Sequence, residues 1–272
     1  MTAISFSDRT SPGDWPAAGA GRPGAGRGPA RALRVLIAED QEVNRLLIST
    51  LVERAGHRPV LAANGAEAVE AVRAGGIDAI LMDLHMPVMD GVSATRAIRA
   101  MTGAPQSMPI VAVTADTVSY SRAQLQAEGF DGMLAKPLVI AELKAFLDGG
   151  KAGPPRDDRA AAASGPVLLD PALFDRLWSD LGADLGRRVV AGFLEEAENR
   201  VADLCGEDDP ALVAGGLAAL ADSAQDMGAA ALARAARELA AGPLDDPGRR
   251  TLCRYMAATR AALESAIAER AG

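Results

Sequence analysis

Three short runs of uninterrupted apolar residues govern what this chain can fold into: Val35-Leu36-Ile37 behind Arg34, Ala79-Ile80-Leu81-Met82, and Ile110-Val111-Ala112-Val113. Runs this short, aliphatic and free of polar alternation suit strands buried on both faces. Weaker runs at Pro59 to Ala62 and Gly132 to Ala135 complete a set of five. The segments between them carry helical spacing. In Gln41 to Ala55, the residues Val43, Leu46, Leu47, Thr50 and Leu51 share one face, and Gly56 follows as a stop signal. Residues 66–74, 92–101, 119–128 and 140–147 repeat the pattern. Five strand–helix units in succession imply an α/β domain over residues 33–148, a parallel five-stranded sheet covered on both faces.

The flanks have a different texture. Residues 1–32 are Gly, Pro, Ala and Arg with almost no large apolar side chains, so they are expected to form a disordered tail. Gly19-Ala20-Gly21-Arg22-Pro23-Gly24 matches GxGxxG, but no strand precedes it and no helix follows, so a dinucleotide site is not expected there. Residues 149–166 read as a flexible linker rich in Gly, Pro and Ala. Beyond them no strand pattern survives. Asp170-Pro171, Asp209-Pro210 and Asp246-Pro247 are helix-opening pairs. Amphipathic stretches cover 171–181, 184–205, 210–225, 228–241 and 247–269, so residues 167–272 are expected to form a separate all-α bundle of about four principal helices. Phe174 and Trp178, four apart, read as part of its core stripe, with a partner-binding anchor as the alternative.

Composition excludes several function classes. The 28 basic and 36 acidic residues give a net charge of -8, which argues against nucleic acid as a partner. No apolar run has the roughly 18–20 residues needed to span a bilayer. The first residues carry no signal-type apolar stretch, so a cytoplasmic protein that contacts no membrane is expected. Cys205 and Cys253 lie far apart without a CxxC pairing, which fits a reducing compartment and reads as two small core residues.

The chemistry concentrates at the strand ends of the first domain. Glu39 and Asp40 follow the first run and Asp83 follows Met82, while Thr114 ends the fourth strand and Lys136 the fifth. Residues just past strand C-termini line the crevice of an open α/β sheet. Three carboxylates converging there repel one another, and an oxygen-seeking cation such as Mg²⁺ relieves the repulsion. With a hydroxyl and an ammonium on the same rim, the set suits an anionic ligand with three oxygens, hence phosphoryl transfer onto a carboxylate.

The segments Val-Leu-Ile-Ala-Glu39-Asp40-Gln-Glu-Val-Asn44-Arg, Met-Asp83-Leu-His-Met-Pro87-Val-Met-Asp90-Gly91, Val-Thr114-Ala115 and Lys136-Pro137 resemble a response-regulator receiver domain of the type attached to hybrid histidine kinases. The resemblance covers residues 33–148 and implies a flavodoxin-like (βα)5 fold. It implies Asp83 as phosphoacceptor, and Glu39, Asp40, Asp83 and the backbone carbonyl of His85 as Mg²⁺ ligands. It further implies Thr114 and Lys136 as sensors of the phosphoryl group and a cis peptide before Pro137. The family's aromatic residue three positions before the lysine is Met133 here, so an aromatic switch is not expected. His85 reads as an exposed loop side chain at the mouth of the pocket, with tuning of aspartyl-phosphate hydrolysis as the alternative. His57 reads as a surface histidine.

The helical half resembles a histidine phosphotransfer (Hpt) domain. Ala218-Ala-Leu220-Ala221-Asp222-Ser223-Ala224-Gln-Asp-Met227-Gly228-Ala229 follows that family's His-x-Leu-Lys-Gly-Ser-Ala and Leu-Gly-Ala pattern. Ala218 stands at the histidine, Ala221 at the lysine and Asp222 at the glycine. Both histidines of the protein, His57 and His85, precede residue 148, so the bundle has no imidazole to phosphorylate. Asp222, one turn from Ala218, would point a carboxylate at whatever docks there. An unrelated alanine-rich bundle is the alternative.

The expected function is therefore two-component signal transduction. The receiver takes a phosphoryl group on Asp83 from a sensor histidine kinase or phosphotransfer protein. This controls binding of a protein target by a non-phosphorylatable Hpt-like bundle, and the protein is not an enzyme beyond its own phosphorylation and dephosphorylation. Two rival readings are a phosphate sink that drains a phosphorelay, with the bundle as docking or dimerisation scaffold, and a detached C-terminal part of a hybrid kinase. The opening methionine and the tail weigh against the last.

Overall fold

A computed structural model describes residues 31–115, 120–148 and 167–271; the expected tail and linker lie outside these, apart from residues 31 and 32. Strands β1 (Arg34–Ala38), β2 (Arg58–Ala62), β3 (Ala79–Asp83), β4 (Ile110–Thr114) and β5 (Gly132–Ala135) form one parallel sheet in the order β2-β1-β3-β4-β5. Helices α1 (Glu42–Arg54), α2 (Gly65–Ala74), α3 (Gly91–Arg99), α4 (Arg122–Ala127) and α5 (Ile140–Leu147) connect and follow the strands. This is the flavodoxin-like architecture, and the contiguous apolar runs supply both of its faces. Val35, Ile37, Leu81, Val111 and Val113 pack with α1 and α5, whereas Leu36, Ile80, Met82, Ile110 and Ala112 pack with the helices opposite.

Local chemistry sets the element ends. Asn64, Asp90 and Ser121 accept the backbone N–H of Glu67, Ser93 and Gln124, satisfying donors that a helix start leaves unpaired. Gly56 stops α1 with φ +90, a backbone region that costs other residues a steric clash.

The remainder is helical: α6 (Pro171–Leu181), α7 (Ala183–Gly206), α8 (Pro210–Asp226), α9 (Ala230–Ala240) and α10 (Asp246–Ala271). The three Asp-Pro pairs sit at the starts of α6, α8 and α10, and Asp170 and Asp209 cap α6 and α8 with their side chains. Phe174 and Trp178 stack 5.9 Å apart, with Phe174 buried in the core. The cysteines differ from expectation. Cys205 is half-buried and Cys253 exposed, yet their Sγ atoms approach to 3.7 Å where the end of α7 meets α10. His57 also differs, because it is buried and its Nδ1 accepts the Leu33 N–H at 3.3 Å. Its proton affinity is lowered by burial.

The helical part lies against the receiver-like part. One apolar cluster runs from Val43, Leu47 and Leu51 of α1 into Phe174, Leu177, Val190 and Phe193 of α6 and α7. The first turn of α1 lacks a side-chain cap of its own. Glu196 of α7 accepts the Val43 N–H at 3.4 Å and places a carboxylate at that positive helix end.

Two glycines give a paired test of this packing. A Cβ on Gly91 would stand 2.0 Å from the Asp83 carbonyl oxygen, whereas Gly215 in α8 faces open space. Gly91→Ala should destabilise by roughly 2–4 kcal/mol and displace the loop that carries Asp83. Gly215→Ala should stabilise by about 0.5–1 kcal/mol, as Ala replaces Gly inside a helix. Denaturant midpoints of the two variants check both signs.

Candidate functional site

The sheet order places β1 between β2 and β3, so the chain leaves these strands in opposite lateral directions and opens a crevice at their C-terminal ends. Glu39 and Asp40 enter it directly after β1, and Asp83 is the last residue of β3. Carboxylate oxygens of the three lie within 4.8 Å of one another. Thr114, buried, ends β4, and its carbonyl accepts the Lys136 N–H at 2.9 Å, which draws the loop after β5 onto the crevice. Lys136–Pro137 is cis. The structure thus brings together Glu39, Asp40, Asp83, Thr114 and Lys136.

Lys136 is the departure from a solvent-facing rim. It is only 5% exposed, and its ammonium donates to Glu39 Oε2 at 2.7 Å and to Asp83 Oδ2 at 2.5 Å. Asp83 Oδ1 accepts the His85 N–H at 3.0 Å, and Asn44 Nδ2 donates to Glu39 Oε1 at 3.4 Å. Arg45 reaches the carbonyls of both Glu39 and Asp40 at 2.7 Å and pins the loop after β1. A single ammonium faces three carboxylates, so negative charge is in excess. Burial pushes Glu39 up to about 8, and Asp83 adds to the rise against the pull of Lys136. Burial also raises Asp40, again with Asp83 adding. The ammonium itself is held protonated well above its usual range by Glu39 and Asp83, which together outweigh its desolvation. A pocket with surplus buried carboxylate must take up a proton or a cation, so the donor set fits a divalent ion that prefers oxygen.

His85 is exposed, as expected, and its ring lies 5.9 Å from that of Tyr120 at the mouth. Two residues that the sequence did not single out belong here as well. Gln41 donates through Nε2 to the Ala219 carbonyl of α8 at 3.3 Å. Asp226, at the end of α8, is 3% exposed and its Oδ1 has no hydrogen-bond partner among the described residues. Burial pushes Asp226 up to about 7, Lys136 being the largest opposing influence. Asp222 is also raised by burial, and it feels Lys136, Asp83 and His85 as well as Arg237 at 3.9 Å. Ala218, the position expected to face a docking partner, is exposed, and the side of α8 turned to the crevice carries Ala219, Asp222 and Asp226. The spacing of Asp222 and Asp226, one helical turn, is a signal the sequence did hold.

The first half of the chain has clear relatives among known proteins. Residues 35–148 match the model of the response regulator receiver domain. The chain carries a response regulator receiver domain. It is 33% identical over 186 residues to the sensory/regulatory protein RpfC of Xanthomonas campestris pv. campestris and 35% identical over 181 residues to the sensor protein GacS of Pseudomonas syringae pv. syringae. These matches take in 65% and 62% of the chain, more than residues 1–148 can supply, so they reach past the receiver into the helical half. The chain spans only 26% and 20% of those two relatives. Among solved structures, the receiver domain of sensor histidine kinase PA1611 from Pseudomonas aeruginosa PAO1, with magnesium ion coordinated in its active site cleft, is 39% identical. That match covers 43% of this chain and 94% of the other at a TM-score of 0.40. No helix among the described residues is long and apolar enough to cross a membrane.

The raised carboxylates make the stability of the folded chain depend on pH. In the unfolded chain Glu39 and Asp226 ionise near 4.5 and 3.8, whereas in the folded chain they hold their protons to about 8 and about 7. The stability this proton uptake supplies is full below the unfolded values and is lost as pH rises through the folded ones. Metal-free protein should lose on the order of 2–4 kcal/mol between pH 4.5 and pH 8. Saturating Mg²⁺ should remove much of the fall, because the ion takes the place of the Glu39 proton. Thermal melts at several pH values with and without Mg²⁺ check this, and metal-free stability that rises across the window would contradict it.

Proposed function

We propose that Asp83 accepts a phosphoryl group from a sensor histidine kinase or a phosphotransfer protein. In this reading the modification controls protein–protein contacts of residues 167–272, a Hpt-like bundle without a phosphoacceptor. The observation that carries the reading is the placement of Asp83, whose two oxygens are engaged by Lys136 and the His85 N–H while Glu39 and Asp40 converge beside it. As the aspartate oxygen bonds to phosphorus, the phosphorus–nitrogen bond of the donor phosphohistidine breaks, and the imidazole leaves with the electron pair and takes a proton. The protein's part is positioning and charge neutralisation, which is most of what phosphoryl transfer requires. Lys136 can turn from Asp83 to a phosphoryl oxygen without leaving Glu39, and the Thr114 side chain ends the neighbouring strand.

Glu39, Asp40, Asp83 and the His85 carbonyl would hold Mg²⁺, which when bound neutralises the phosphoryl oxygens. The bundle takes no phosphate itself, since an imidazole is the nucleophile such a relay uses near neutral pH and neither His57 nor His85 lies in it. Its Hpt-like character rests on the likeness of residues 218–229 to that family's pattern, within which Gly228, φ +74, follows the end of α8. The protein is thus a switch that modifies itself rather than an enzyme acting on a separate substrate.

Radiolabelled acetyl phosphate with Mg²⁺ should label the protein on Asp83 alone. The label should vanish in Asp83→Asn and on chelation of Mg²⁺. Label that survives Asp83→Asn would overturn the assignment.

A further inference from the structure

We infer that the helical bundle is a built-in plug for its own receiver: α8 covers the mouth of the Asp83 crevice, and phosphorylation of Asp83 and seating of the bundle oppose each other. The inference rests on the reading of Asp83 as phosphoacceptor and adds to it the partner and the direction of control.

The seating is extensive and specific. Gln41, one residue after Asp40, donates to the Ala219 carbonyl of α8, and that carbonyl also accepts the Ser223 hydroxyl at 3.2 Å. Glu196 caps α1 from the bundle. The Arg54 guanidinium, at the far end of α1, donates to the Asp180 carbonyl of α6. Between these polar ties, Val43 packs onto α7 at Gly192, where a Cβ would stand 3.5 Å from Val43 Cγ2. The receiver therefore contributes the whole length of α1 to the contact. A phosphoryl donor needs in-line access to Asp83, and α8 stands on that side of the crevice.

Charge supplies the coupling. Asp226 is buried with one oxygen unpartnered, and Asp222 is half-buried beside it. Both lie within electrostatic reach of Lys136 and Asp83. In the unmodified protein the ammonium offsets these α8 carboxylates. A phosphoryl group on Asp83 adds negative charge and three acceptor oxygens, and it takes Lys136 for itself. Asp222, and Asp226 where the pH is high enough to ionise it, are then left facing an anion, and an uncompensated buried charge is strongly unfavourable. Seating and phosphorylation share one free energy of coupling, so each weakens the other by the same factor at equilibrium. Release would uncover both the α1 face and the α8 surface around Ala219 and Asp222 for a protein partner.

The test uses the full chain and a variant remote from the crevice. Gly192→Arg inserts a side chain between α7 and α1, and Arg is a better helix residue than Gly, so the bundle should stay folded by circular dichroism. Glu196→Lys is the second variant, since it replaces the cap of α1 with a charge that repels that helix end. With acetyl phosphate and Mg²⁺, the acyl phosphate bond breaks as Asp83 takes the phosphoryl group and acetate leaves. Both variants should label Asp83 roughly tenfold faster than the wild type, within the range usual for coupled sites. Hydrogen exchange in α1 and α8 should rise in both variants and in phosphorylated wild type. Equal labelling rates with unchanged exchange would overturn the plug while leaving Asp83 as phosphoacceptor. Undiminished α1 and α8 protection after phosphorylation would overturn the release. Absence of label in the wild type and in both variants would overturn the phosphoacceptor reading itself and the inference with it.

Discussion

One ammonium, that of Lys136, organises the C-terminal end of the sheet. It is buried between Glu39 and Asp83 at hydrogen-bond distance from both, and it faces more carboxylate than it can neutralise. Desolvation alone would strip its proton, but two close carboxylates more than reverse that. They in turn could not sit together without it. The loop after β1, the end of β3 and the loop after β5 are therefore tied to one another by charge as well as by the sheet. An isolated buried ion pair is weak evidence for stability. Here the pair is one member of a set whose surplus charge creates the demand for a cation and the capacity to redirect a cationic group toward a new anion.

The same surplus explains the character of α8. A helix packed over an acidic crevice would ordinarily carry basic residues, yet its crevice side carries Asp222 and Asp226. Alone, these carboxylates would oppose docking. The apolar contact of α1 with α6 and α7, together with the ties at Gln41, Val43 and Arg54, holds the bundle in place regardless. Attraction thus resides in the body of the interface and repulsion at the reactive end. Such a division makes an interface sensitive to a charge change at one point, which is the requirement for a two-state switch biased by a covalent modification.

Much of this was legible in the sequence, for reasons that differ from residue to residue. The runs at 35–37, 79–82 and 110–113 could be read because strands buried on both faces need no alternation and leave a contiguous apolar signature. Glu39, Asp83, Thr114 and Lys136 could be placed together because topology alone puts strand C-termini side by side. Burial of single polar residues could not be read in the same way. Lys136 looked like a rim lysine, and only the convergence of Glu39 and Asp83 upon it shows why it can be buried charged. His57 follows a helix stop, a place that is ordinarily solvated, but the Leu33 N–H fixes its ring inside. Cys205 and Cys253 are 48 residues apart and meet only because α7 and α10 pack side by side. Asp226 hid because its burial comes from contact between two parts of the chain, whereas the periodicity of α8 reports only the face turned to its own bundle.

The crevice at Glu39, Asp40 and Asp83 gathers surplus carboxylate that a divalent cation would satisfy. Titration of the nitrogen-15-labelled chain with Mn²⁺, a paramagnetic stand-in for Mg²⁺, tests it most directly. Amide signals of Asp40 and of residues 83–85 should broaden first, excess Mg²⁺ should restore them, and Asp40→Asn should weaken the effect. Broadening that begins at other acidic residues, or that persists unchanged in Asp40→Asn, would contradict it.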